Sequence, residues 1–305
     1  MMAIIPYLAE RLTALQTLVN AHLEMAIPGW ALPAEFIAER LTRYPEQRIL
    51  DPWVIERQTM LSVEAEQVLA AVHLLRYSDG DRVAPDYRNA GDIAWLLFAP
   101  GAEAAGREVL AAARQLMRQW DVRVIYAWDT GLPVPLCSGI SDVWPHIRHL
   151  FAGAGFSADG GVEYIFGGGL EAMPAPVAAP MDGVCVQSAV SGTETTFILR
   201  HNAEHIGRCE CVADLTQDGQ LPAFAGWGKL EALEVAAPWR TRGLGRWLVQ
   251  HAVAWLREMG CARVVFSVTP DDDARGAGRF YRRLGWERQL TLEKGWVDRG
   301  IAPIR

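Results

Sequence analysis

The stretch Ala237–Val249 reads APWRTRGLGRWLV. It gathers Arg240, Arg242 and Arg246 around Gly243 and Gly245, then runs directly into an apolar segment. From Leu244 onward, Leu248, Ala252, Trp255 and Leu256 recur at helical spacing, so the glycines open an amphipathic helix. The first turn of a helix leaves backbone N–H groups without partners and carries the positive end of the helix dipole, which suits a phosphate. Gly243 and Gly245 lack the Cβ atoms that would hold a pyrophosphate off the backbone, and the three arginines add charge-assisted donors. Two nucleotide-binding patterns are excluded by spacing. A Walker loop needs Lys-Ser/Thr after its second glycine and a dinucleotide fingerprint needs a third glycine, whereas the chain has Arg246-Trp247-Leu248 there.

The surroundings of this loop read as an α/β unit. Trp227–Pro238 (WGKLEALEVAAP) is a strand that feeds the loop, and RVVFSV is the strand after the helix. Upstream, TTFILRH and EHIGRCECVADL form an antiparallel pair around the turn NAE, with Asp218-Gly219 as the next turn. Glu231 and Glu234 lie on the strand before the loop. Strand alternation puts residues three apart on opposite faces, so at most one of the two is expected in a cleft.

The order RTRGLG (240–245), helix, strand, FYRRLGW (280–286) resembles the GCN5-related N-acetyltransferase (GNAT) family. In that family the Arg/Gln-x-x-Gly-x-Gly/Ala loop holds the pyrophosphate of acetyl-CoA. The resemblance implies a fold of α/β class, two tandem acyl-CoA N-acyltransferase domains each with a mixed, mostly antiparallel sheet flanked by helices. It implies acetyl-CoA as cosubstrate, held by Val235, Arg240, Arg242, Gly243, Leu244, Gly245 and Arg246. It also implies direct transfer of acetyl to the amine of a small molecule or peptide. Tyr281 matches the tyrosine that protonates the leaving thiolate, with Glu231 or Glu234 as candidate base. The alternative on the same scaffold is a protein that binds acyl-CoA without transfer. Where many members carry Asn seven residues before this tyrosine the chain has Ala274, preceded by Asp271, Asp272 and Asp273. The triplet reads as a solvated loop and helix cap.

The first half echoes the second. AGREVLAAARQLMRQWDVRVIYAW from Ala105 aligns with LGRWLVQHAVAWLREMGCARVVFSV from Leu244, which makes Gly106 the counterpart of Gly245. HLFAGAGF likewise aligns with RFYRRLGW, which sets Phe151 against Tyr281. The first copy carries Glu103 where the second has Arg242, and phenylalanine cannot donate a proton, so this copy is expected to be non-catalytic. It has two amphipathic helices near its start, in PYLAERLTALQTLVNAHLEM and PAEFIAERLTRY, that the second copy lacks. The Pro/Ala-rich Glu171–Gly183 separates the copies, giving domains 1–172 (divergent) and 183–305 (intact loop). This organisation is similar to that of the tandem acetyltransferases, mycothiol synthase among them, which pair one active and one divergent copy.

The whole chain sets the remaining bounds. It has 305 residues, half of them hydrophobic, enough for two globular domains. A net charge of -7 argues against a nucleic-acid or anionic-membrane surface, so any anion site is local. Lys229 and Lys294 are the only lysines, a skew without functional content. The cysteines, 137, 185, 209, 211 and 261, are odd in number and lack metal-ligand spacing. Cys209 and Cys211 share one strand face and read as small buried hydrophobes. His201 and His205 flank a turn and read as surface residues. With no apolar run of membrane-spanning length, the expected compartment is a reducing cytoplasm.

Overall fold

The computed structural model describes residues 2–300 apart from 45–47, 133 and 135–137, so Cys137 lies outside the described residues. By residue contact the chain divides into two compact units, Met1–Glu163 with Leu290–Arg305, and Tyr164–Gln289.

The first unit runs β1 (Ala3–Pro6), α1 (Leu12–Ala26), α2 (Ala34–Arg40), β2 (Val54–Glu64), β3 (Gln67–Tyr77), β4 (Gly91–Phe98), α3 (Glu103–Gln119), β5 (Ile125–Ala127), β6 (Ile140–Ser141), α4 (Pro145–Gly153) and β7 (Ser157–Ala158). Its sheet has the order β1-β2-β3-β4-β5, then the C-terminal strand Trp296–Asp298, then β7. β4 and β5 are parallel and the remaining pairings antiparallel. Every residue of β4 is buried, because α1 packs against this strand and so does α3. The two N-terminal helices expected from the apolar spacing are α1 and α2.

The second unit takes in β8 (Val162–Gly169), β9 (Val184–Ser191), β10 (Glu194–His201), β11 (Glu204–Val212), β12 (Trp227–Val235), α5 (Leu244–Glu258), β13 (Arg263–Val268), α6 (Pro270–Ala274), α7 (Ala277–Arg283) and β14 (Glu287–Glu293). Its sheet is ordered β14-β8-β13-β12-β11-β10-β9. The β10–β11 hairpin turns at Asn202, whose φ of 53° is the left-handed geometry such turns demand. α5 buries Leu244, Leu248, Val249, Ala252, Val253 and Leu256 against β10, β11 and β12. No helix stands between β9 and β10.

The compact units are not contiguous in sequence. β8 precedes the Pro-rich segment yet pairs antiparallel with β13, from Arg263↔Gly169 to Val268↔Tyr164. The chain's C-terminal strand pairs with β5 and β7 of the first unit. The linker at 171–183 is thus a connection inside the second unit, between β8 and β9, and the chain changes unit within β8 and within β14. Hydrogen-bond partners decide which sheet a strand joins, and a linear reading of composition does not carry that choice. Among the described residues no helix is long and apolar enough to cross a membrane. Cys185, Cys209, Cys211 and Cys261 are free thiols, with Cys209 and Cys211 buried and their sulfurs 3.8 Å apart.

Candidate active site

The site grows from the way β12 leaves β13. The two strands are parallel and paired only at Trp227↔Arg263, Gly228↔Val264 and Lys229↔Val265. Beyond Lys229 they part, and a cavity of about 450 Å³ opens, lined on one side by Glu231 to Val235 and on the other by Ser267, Val268 and Tyr281. A second cavity of about 360 Å³ continues past Val235 and Arg240, which line both, to Gly243, Gly245, Arg246 and Phe280. One cleft therefore leads from the glycine loop to Tyr281.

Gly243 is the N-cap of α5 with φ 81° and ψ −9°, a conformation that favours glycine, and no side chain caps the helix. The first N–H bonded back into the loop is that of Trp247, to Gly243 O at 3.1 Å. The amides of Leu244, Gly245 and Arg246 precede it and have no partner within the helix. A Cβ on Gly245 would meet only ordinary contacts, with Phe280 and Val235 at 3.9 Å, so packing does not require this glycine. What it provides is access to the amides. Leu244 is buried and adds only its backbone. A helix start with unpartnered amides is the kind of site that takes an anion such as a pyrophosphate.

The arginines separate in role. Arg240 lines both cavities, and its Nε donates to Val235 O at 2.8 Å, which holds the guanidinium over the strand end. Arg246 lines the loop cavity. Arg242 lines neither; its guanidinium sits 5.2 Å from the Trp239 ring, whose other neighbour is His201 at 4.5 Å. We expect Arg240→Ala to weaken acetyl-CoA binding by about 10-fold or more, the equivalent of one charge-assisted hydrogen bond, and Arg242→Ala to do less; calorimetric titration of both variants checks this.

Phe280, Arg283 and Leu284 also line the loop cavity and were not singled out from the sequence. Their i, i+3, i+4 spacing on the segment that forms α7 was the available signal. The 171–183 segment crosses the same region: Trp247 Nε1 donates to Val177 O at 2.8 Å, and a Gly243 Cβ would lie 3.7 Å from Pro180.

At the far end, Tyr281 is 8% exposed, with Phe266 4.4 Å away and Phe166, Phe280 and Trp286 around it. Burial raises its phenol well above the usual tyrosine range, and the neighbouring Cys209 and Asp272 push the same way. The hydroxyl is therefore protonated throughout the physiological range. The acidic triplet starts α6: Thr269 caps the helix by accepting from Asp272 N at 3.2 Å.

The two glutamates depart from simple alternation. Cys211 faces Leu230 and Glu210 faces Ala232, so Glu231 is the extra residue of a β-bulge on β12. The bulge interrupts the alternation, and every residue from Glu231 to Val235 lines the cleft. Glu231 Oε1 accepts from Lys229 Nζ at 2.7 Å, and Glu234 Oε1 accepts from Arg208 Nη2 at 3.3 Å.

The first unit differs at each of these points. α3 starts at Glu103, making Gly106 its fourth residue, and a Cβ there would strike the Phe98 ring at 2.7 Å. Gly106 thus serves packing where Gly245 serves access. Glu103 Oε1 accepts from Gly101 N at 3.2 Å, so the helix start already holds an anion. Phe151 is fully buried between Phe156 and Trp296.

Residues 178–286 match the Acetyltransferase (GNAT) family. The sequence matches no curated protein. Among solved structures, the tandem GNAT protein from the clavulanic acid biosynthesis pathway superposes with a TM-score of 0.63 at 15% identity, over 99% of this chain and 100% of that one. A GCN5-related N-acetyltransferase from Sphaerobacter thermophilus gives 0.60 at 14% identity, over 97% and 94%. Residues 178–286 are therefore similar to the GNAT family, and the chain has, over nearly its whole length, the fold of the tandem GNAT protein.

Proposed function

We propose that the second unit moves the acetyl group of acetyl-CoA directly to the amine of a small molecule or peptide, and that the first unit takes no catalytic part. The observation that carries this reading is the single cleft joining the open helix start at Gly243–Arg246 to Tyr281. Acetyl-CoA supplies an acyl thioester, and its length leads away from the pyrophosphate loop along β12 toward the bulge. The amides of Leu244, Gly245 and Arg246, with Arg240, hold the pyrophosphate. Val235 and Leu233 flank the arm that follows.

Glu231, farther from the loop than Glu234, is placed to act at the reacting end. It takes the proton of the acceptor amine as the nitrogen attacks the thioester carbonyl, and Lys229 fixes the carboxylate. The carbon–sulfur bond breaks, and Tyr281 gives its proton to the departing sulfur. Its raised pKa keeps the proton available. The reading carries a cytoplasmic location with it, as the compartment of that cosubstrate.

Thiol release from acetyl-CoA, measured over a panel of small and peptide amines, tests the reaction. Amine-dependent release with acetylated product supports it; acetyl-CoA binding without release for any amine leaves a ligand-binding protein. On a confirmed acceptor, Glu231→Gln is expected to lower kcat/KM about 10²-fold near neutral pH. The deficit shrinks at high pH, where the amine loses its proton unaided. A pH–rate profile checks both features, and Glu234→Gln is expected to change little.

A further inference from the structure

The cavity at the glycine loop carries more positive charge than a pyrophosphate requires. Arg240, Arg246 and Arg283 line its volume of about 360 Å³, and among the described residues no carboxylate does. In a chain of net charge -7 this concentration is local, and guanidiniums that face one small space repel one another until an anion lies between them. Arg240 and the open amides of α5 suffice for the pyrophosphate. Arg246 and Arg283 remain, and among the described residues neither side chain has a hydrogen-bond or ion-pair partner.

Helix packing brings these two arginines together. Arg246 is the third residue of α5 and Arg283 the last of α7. The Phe280 ring lies 3.9 Å from the position of a Gly245 Cβ, so α7 packs against the first turn of α5. Arg283 follows Phe280 by three residues and shares its helix face, which carries it to the cavity that Arg246 lines. Neither arginine lines the cavity that leads to Tyr281, whereas Arg240 lines both. Arg246 and Arg283 therefore stand on the side of the pyrophosphate site away from the reacting end. A cosubstrate that sends its thioester arm toward Tyr281 has its nucleoside on that side.

We propose that Arg246 and Arg283 hold the 3′-phosphate of the adenosine of acetyl-CoA, and so select coenzyme A over carriers that offer the same arm without this group. A phosphate monoester carries about two negative charges near neutral pH, and paired guanidiniums meet it with several N–H donors. The proposal rests on the reading of the cleft as an acetyl-CoA site and does not require transfer.

Calorimetric titration of the full chain with CoA and with 3′-dephospho-CoA is the test. The wild type is expected to bind CoA about 10-fold or more tighter than 3′-dephospho-CoA, the equivalent of a charge-assisted hydrogen bond. Arg246→Ala and Arg283→Ala are each expected to weaken CoA about 10-fold and to leave 3′-dephospho-CoA nearly unchanged, which also shows that these exposed positions do not disturb the fold. Arg240→Ala is expected to weaken both ligands alike. Arg242→Ala, outside both cavities, is expected to leave the discrimination intact. Equal affinity of the wild type for the two ligands overturns the proposal, and so do Arg246→Ala and Arg283→Ala variants that discriminate as the wild type does. An equal loss of discrimination in Arg242→Ala also overturns it, because the effect would then be long-range charge. Binding of both ligands without discrimination keeps the acetyl-CoA site and removes this proposal. Binding of neither removes both.

Discussion

Turnover by the Tyr281→Phe protein is expected to fall about 10²-fold, with acetyl-CoA affinity nearly unchanged. Binding persists because the ring, packed among Phe266, Phe166 and Trp286, is retained and only the hydroxyl is lost. Turnover falls because the sulfur then leaves without its proton donor. The wild-type enzyme is expected to show no alkaline loss of rate from Tyr281 ionisation within the ordinary tyrosine range, since burial raises that pKa. The first unit supplies a control. Phe151→Tyr alone is expected to create no activity there, because Glu103 still occupies the helix start. Steady-state kinetics on a confirmed acceptor, where chemistry limits the rate, decides the matter: wild-type turnover in Tyr281→Phe would leave this tyrosine a packing residue.

The second large effect is at Gly245. Gly245→Val is expected to weaken acetyl-CoA about 10²-fold or more, the loss of one or two charge-assisted hydrogen bonds from the first turn of α5. Packing separates this effect from misfolding, because the new Cβ meets Phe280 and Val235 only at 3.9 Å. Gly243→Val combines blocked access with backbone strain, since φ there is 81°. A loss of binding at Gly245 with an unchanged melting temperature therefore isolates backbone access. Unchanged affinity would remove the loop from the cofactor site.

What was legible in the sequence was local. The helix after Gly243 and the β10–β11 hairpin are written in periodicity and turn residues within a few positions of one another. Two features were not legible, and each depends on a partner distant in sequence. The bulge at Glu231 exists only relative to β11, so the alternation of β12 does not reveal it. β8 and the C-terminal strand are assigned to their sheets by pairing, which the linker at 171–183 does not reveal. Arg242, which its neighbours in the chain group with the phosphate donors, has its guanidinium over the Trp239 ring. The equivalence of Gly106 and Gly245 held in alignment and failed in purpose, because Phe98 presses on one and nothing presses on the other.

The division of labour between the units is open to a direct count. Calorimetric titration with acetyl-CoA is predicted to give one site per chain for the wild type and to lose that site in Gly245→Val, with Glu103→Ala unchanged from wild type. Two equivalent sites, or one site that survives Gly245→Val, would place the cosubstrate outside the second unit's loop and contradict the account.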